Sequence, residues 1–217
     1  MLAVKFKIGG SLRFLSHAET LRVFQRACAR AGIRVCYSEG FNPRPKLSLP
    51  LPRPVGVESD DELLCLRVEH DPAQAFSEAD ALRIKTELAA QLPEGCELLS
   101  VKIARAGISF QPRSATYILP VSPKDLDERL QTTVERRLAS ETLPIRRRMD
   151  AQGLRVKNVD VRGFLTSIKF DNRGIMVECR ISPAGSIRVD EIIELLEIDE
   201  GKLLGPIRRM NVQWQSH

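Results

Sequence analysis

The side chains with chemical reach are few, and most of them lie near the N-terminus. There are three histidines, His17, His70 and His217. His17 stands at an expected helix start just after Arg13 and Ser16, where the helix dipole favours a neutral imidazole. A neutral histidine beside cations can take a proton from a ribose hydroxyl when a partner positions it. The same residue can equally close the helix start or pack on nearby prolines. His70 precedes Asp71-Pro72 and reads as a turn residue, and His217 is terminal. Glu58 with Asp60 or Asp61 offers oxygens of the kind that hold Mg²⁺, or an ordinary solvated run, and no metal site is assigned. The five cysteines, Cys28, Cys36, Cys65, Cys96 and Cys179, are too far apart for a CxxC half-site or an iron–sulfur run. Most of them read as small buried apolar residues. No P-loop, Gly-rich dinucleotide fingerprint, GxSxG or HExxH occurs. No cofactor follows from this set, and His17 is the one candidate base.

Cations supply the remaining chemistry. Residues 1–57 hold ten Lys or Arg against two acids, a charge of +8, while the rest hold 23 basic and 26 acidic side chains. A basic quarter on a near-neutral body points to a polyanion partner, unless solvated arginines merely cluster there. Within it runs Gly40-Phe41-Asn42-Pro43-Arg44-Pro45-Lys46, continuing to Val57 with prolines at 43, 45, 50, 52 and 54. Proline fixes φ and extends the residue before it, so this segment is stiff and non-helical. Its charges, Arg44, Lys46 and Arg53, are all positive, which suits a phosphate chain. The competing reading is an edge strand that its prolines protect from aggregation. Arg22, Arg26 and Arg30 recur every four residues, a basic stripe or a solvated helix face. Arg146-Arg147-Arg148 is a second basic cluster, in which Arg146 and Arg148 share one face of a strand. Aromatics make up only 5%, so a platform for stacked bases is thin, with Tyr37, Phe41 and Trp214 as its candidates.

The elements that must position these groups follow from periodicity. Residues 3–8 read as a strand. Ser16 with Glu19 makes a capping box for a helix to about Arg30, with Leu21, Phe24, Cys28 and Ala31 inward. Residues 35–38 begin a second strand, 56–62 a turn and 63–68 a third strand. Ser77 with Asp80 caps a second helix to about Leu92, and 96–104 make a further strand. Residues 105–116 read as a linker. The same order then recurs: strand 117–121, a helix opened by Ser122-Pro123, strands at 143–148, 154–170 and 174–181, a helix at 188–198 and a strand at 207–214. The expected fold is α+β, two ferredoxin-like βαββαβ units in tandem, with antiparallel sheets and helices on one face. The expected domains are 1–105 and 116–217.

Arg13-Phe14-Leu15-Ser16-His17, the Arg-rich helix and Tyr37-Ser38-Glu39-Gly40-Phe41-Asn42-Pro43-Arg44-Pro45-Lys46 together resemble the radical-SAM-linked family. Leu51-Pro52-Arg53-Pro54-Val55-Gly56-Val57 and Leu92-Pro93-Glu94-Gly95 extend the likeness over most of residues 3–200. That family is a domain of unknown function that stands alone or is fused behind a radical SAM enzyme. Arg44 stands where many members carry histidine, and Ala18-Glu19 where Leu-Asp is usual. The resemblance implies a radical SAM enzyme as partner, because this chain lacks a cluster motif, and an RNA-related setting.

The reading that results is a non-catalytic RNA-binding or substrate-presenting partner of a radical SAM enzyme in tRNA or rRNA metabolism. Arg13, Arg22, Arg26, Phe41, Asn42, Arg44, Lys46 and Arg53 form the expected RNA face. The alternatives are a metal-independent endoribonuclease using His17, with Lys46 or Tyr37 assisting, and a protein scaffold for the radical SAM enzyme. No apolar run approaches the ~18 residues of a membrane span and no signal h-region is visible, so no membrane partner and a cytoplasmic location are expected.

Overall fold

The computed structural model describes residues 1–70, 76–105, 107–149 and 155–216. The described residues form a mixed α+β structure with four α-helices and mostly antiparallel strands. The chain divides into two compact units, Met1–Gln111 with the residues from Trp214 on, and Pro112–Gln213.

The first unit runs β1 (Leu2–Ile8), α1 (His17–Arg30), β2 (Leu47–Ser48), β3 (Glu58–Leu66), α2 (Glu78–Ala89) and β4 (Cys96–Ile103). Its strands lie in the order β4-β1-β3-β2, each pair antiparallel. Alternation along β1 buries Leu2, Val4, Phe6 and Ile8. The helical face of α1 meets them with Phe24, Ala27 and Cys28, and Phe6 and Phe24 pack edge to face at 4.6 Å. Leu21 and Ala31 are half-buried at the margin of this core. Both predicted capping boxes are present, Ser16 with Glu19 and Ser77 with Asp80. The acidic run at 58–62 is not a turn. It is the start of β3, because Glu58, Ser59 and Glu62 are drawn under neighbouring elements. Residues 35–38 form no full strand, only single bridges from Val35 to Val68 and from Tyr37 to Pro45.

The second unit runs β5 (Phe110–Leu119), α3 (Glu128–Ala139), β6 (Pro144–Arg148), β7 (Val156–Asp160), β8 (Leu165–Asp171), β9 (Gly174–Arg180), α4 (Val189–Leu195) and β10 (Arg208–Ser216). The main strands lie in the order β10-β5-β9-β8, and β6 and β7 form a separate two-stranded ribbon. Part of the expected linker is therefore strand, since β5 already begins at Phe110. Ser122-Pro123 opens only a short 3₁₀ turn, and Asp127 caps α3 by accepting from the Leu130 N–H. The hairpin turn at 171–174 forms as its residues predict. Gly174 is needed there: its φ is +132°, and a Cβ would stand 2.1 Å from the Leu119 carbonyl. No described helix is long and apolar enough to cross a membrane.

All five cysteines are free thiols. Burial pushes Cys28 up to about 11 and Cys96 and Cys179 to about 12. The thiolate is the nucleophile, so the buried Cys28 and Cys179 should ignore an aromatic disulfide reagent at about pH 8 until the chain unfolds. Half-buried Cys36 should react first in the native protein. Rapid native labelling of Cys28 and Cys179, read by peptide mass, would contradict this packing.

Candidate nucleic-acid interface

The N-terminal cations expected to face RNA are distributed over three local structures of the first unit. The first is a short hairpin between α1 and β2. Lys46 N–H donates to the Cys36 carbonyl at 2.7 Å, and Ser38 N–H donates to the Arg44 carbonyl at 2.8 Å. Arg44 N–H donates to Ser38 Oγ at 2.9 Å. Pro45 faces Tyr37 between these bonds, at a position that requires no N–H from it. The base is tied on both sides to Arg67, whose carbonyl accepts from Cys36 and whose N–H donates to Lys46. Prolines and paired main chain thus hold a rigid projection, and its whole tip from Glu39 to Arg44 is exposed. Phe41 stands fully in solvent at 106% of its reference exposure, and Tyr37 is half out at 50%. Asn42, Arg44 and Lys46 are exposed beside them.

The second structure is the 3₁₀ turn Gly10–Phe14 together with the end of the proline run. Arg13 lies over the ring of Phe14 at 4.3 Å and donates to the Gly10 carbonyl at 2.9 Å. Phe14 is itself exposed, a surface aromatic that the periodicity of Leu12–Leu15 does not reveal. Arg53 was expected to face phosphate. Its guanidinium instead donates to the carbonyls of Leu12, Arg13, Leu15, Pro54 and Val57, at 2.5 to 3.3 Å. The planar fork suits this many-carbonyl role, which a lysine ammonium cannot reproduce. Arg53 is a positioning residue that clips the proline run onto the 3₁₀ turn.

The third structure is α1. Arg22 and Arg26 are exposed along it, while Arg30 is engaged with the Gln91 side chain and carbonyl. His17 is the first residue of the helix, just inside the Ser16–Glu19 box, and is exposed. The box hydrogen bonds from Ser16 hold the Glu19 carboxyl below the usual carboxylate range. His17 lines a small cleft with Thr20, Leu49, Arg53 and the buried Glu62. The structure therefore brings His17 to Arg53 and Glu62, whereas Tyr37 and Lys46 belong to the hairpin. Two of the acids that offered oxygens to Mg²⁺, Glu58 and Asp61, are engaged elsewhere. Glu58 accepts from the Gly10 N–H at 2.9 Å, and Asp61 pairs with Lys5. Among the described residues no group of three or more His, Cys, Asp or Glu is placed to hold a metal.

Fold and site together define a mixed α+β protein whose N-terminal unit projects an aromatic and cationic hairpin. The chain belongs to a family described as an uncharacterized protein conserved in bacteria (DUF2344), whose family model matches residues 1–194. A comparison with curated proteins found no match.

Proposed function

We propose that the protein is an RNA-binding module that presents RNA to a separate radical SAM enzyme and does no chemistry itself. One observation carries this reading: Phe41 stands fully exposed on a rigid tip, with Arg44 and Lys46 beside it. A large apolar ring held in water has no packing role, and in a cationic setting its faces suit unstacked bases. Arginine and lysine then meet the phosphates on either side. The enzyme partner is inferred from the motif resemblance at Arg13–His17 and Tyr37–Lys46, and the RNA setting implies the cytoplasm. We also infer that each unit is ferredoxin-like. The strand orders β4-β1-β3-β2 and β10-β5-β9-β8 support this, because in each the first and third strands are central and flanked by the fourth and second, with the ribbon β6–β7 as an insertion.

The test is binding of labelled single-stranded RNA at low and moderate salt. Phe41→Ala should weaken binding about tenfold, within the ~1–3 kcal/mol of a base–aromatic stack. The salt dependence should stay the same, because no charge is removed. Affinity indifferent to both salt and Phe41 would overturn the reading. Purification without nuclease that retained a protein partner but no nucleic acid would favour a scaffold instead. RNA cut by the parent and spared by His17→Ala would replace presentation with cleavage.

A further inference from the structure

The ribbon β6–β7 of the second unit has no part in the site described above. Its register pairs Ile145 with Val159, Arg146 with Asn158, Arg147 with Lys157 and Arg148 with Val156. Side chains alternate across a strand, so Ile145, Arg147, Lys157 and Val159 share one face, and Arg146, Arg148, Val156 and Asn158 share the other. The first face is packed inward: Ile145 is buried and Val159 half-buried. Arg147 on that face makes a two-pronged ion pair with Glu191 of α4, Nε to Oε1 at 2.6 Å and Nη2 to Oε2 at 2.8 Å. The pair is largely buried, with side-chain exposures of 13% and 6%. Arg147 also donates to the Ser186 carbonyl at 2.7 Å, and Arg188 donates to the Arg148 carbonyl at 3.1 Å. At the root, Asp160 accepts from the Leu143 and Arg162 N–H groups. The ribbon is thus held by its inner face and its root.

Its outer face is built differently. Arg146, Arg148, Val156 and Asn158 are all exposed. Among the described residues, neither Arg146 nor Arg148 enters an ion pair; Glu191 is held by Arg147, Asp160 accepts from two N–H groups, and the charge of Asp190 acts on Arg147 of the inner face. Two arginines one alternation apart lie about 6.6 Å from each other along a strand. That separation matches successive phosphates of an extended RNA strand, and guanidinium is the side chain best shaped for two-pronged phosphate contact.

We propose that the outer face of this ribbon is a second RNA site, in which Arg146 and Arg148 contact consecutive phosphates and Asn158 hydrogen-bonds the sugar–phosphate backbone. Arg147 is a positioning residue that fixes the ribbon for this contact. The ligand class is shared with the RNA reading above, but the site lies in the other unit and can fail separately. Two modest sites on one chain would bind a long RNA more tightly than either alone, and short fragments less so.

The experiment measures labelled tRNA binding to the full chain over a salt series, for the parent, Arg146→Glu/Arg148→Glu, Arg44→Glu/Lys46→Glu and the combination. The ribbon variant should bind about tenfold more weakly, and its slope of log affinity against log salt should fall by about 1.5, as two lost phosphate contacts require. Arg146→Gln/Arg148→Gln should lower the slope similarly without introducing repulsion. Both side chains are exposed, so thermal melting should match the parent. Parental affinity and slope in both ribbon variants, with melting unchanged, would overturn the inference. If the hairpin variant alone lost binding, the first site would stand and the ribbon would fail. If the ribbon variant alone lost binding, the ribbon would stand and the hairpin would fail. No loss in any variant would remove both.

Discussion

Replacing Arg53 with alanine is expected to lower the melting temperature by about 6–12 °C. The guanidinium donates to five main-chain carbonyls, of Leu12, Arg13, Leu15, Pro54 and Val57. Proline has no N–H of its own to pair the run with its neighbours, so this side chain supplies donors that the backbone lacks. Hydrogen bonds to a charged group contribute about 1.5–3 kcal/mol each net of water, but the five share one guanidinium and some of these carbonyls will recover water when the side chain is lost. A net loss of about 3 kcal/mol results, and each kcal/mol is worth about 2–4 °C in a chain of this size. Arg53→Lys should recover less than half of it, because an ammonium cannot span the same fork of acceptors. Arg22→Ala, a change at an exposed cation on α1, should stay within about 0.5 kcal/mol of the parent. Circular dichroism melts of the three variants decide the matter. A shift below about 2 °C for Arg53→Ala would mean that the clip contributes little to the fold.

The largest expected functional effect is that of Arg44→Glu/Lys46→Glu. Both side chains are exposed, and the bonds that shape the hairpin use their main-chain atoms and Ser38. The double variant should therefore fold as the parent does, with melting nearly unchanged. RNA binding should weaken about 100-fold at low salt, the equivalent of about 2.8 kcal/mol. On the proposed reading, two phosphate contacts would vanish and two repulsions replace them. Their loss should lower the salt slope by about 1.5, so the gap narrows as salt rises. Fluorescence anisotropy with labelled tRNA reads both quantities. Equal affinity of parent and variant across the salt series would remove the hairpin from any phosphate contact.

The two effects separate jobs that charge counting merges. Arg44, Lys46 and Arg53 belong to one proline-rich stretch and look alike as cations. Arg44 and Lys46 are held out into solvent on a short hairpin, whereas Arg53 reaches carbonyls 38 to 41 residues away in sequence. Phe14 and Phe41 differ in the same way. Phe41 reads as a stacking candidate within the proline-rich run, whereas Phe14 lies between leucines and is exposed only in the folded chain. The closed hydrogen bonds between Cys36 and Lys46 leave Phe41 nothing to pack against.

What the amino-acid sequence by itself determined is what depends on neighbours in the chain. The Ser16–Glu19 and Ser77–Asp80 boxes, the buried stripe of α1, the turn at Asp171–Gly174 and the stiffness of the proline run all arise within a few residues. The alternation that separates Arg146 and Arg148 from Arg147 is equally local. Only the tertiary structure decided where groups distant in the chain would meet. It drew the acidic run at 58–62 into β3, gave Arg53 its carbonyls, paired Arg147 with Glu191 and set His17 beside Glu62 in one cleft. The physical reason is that a charged side chain has no preferred partner in sequence. Its role is fixed by which acceptors, acids or open solvent the packed backbone brings within hydrogen-bond reach.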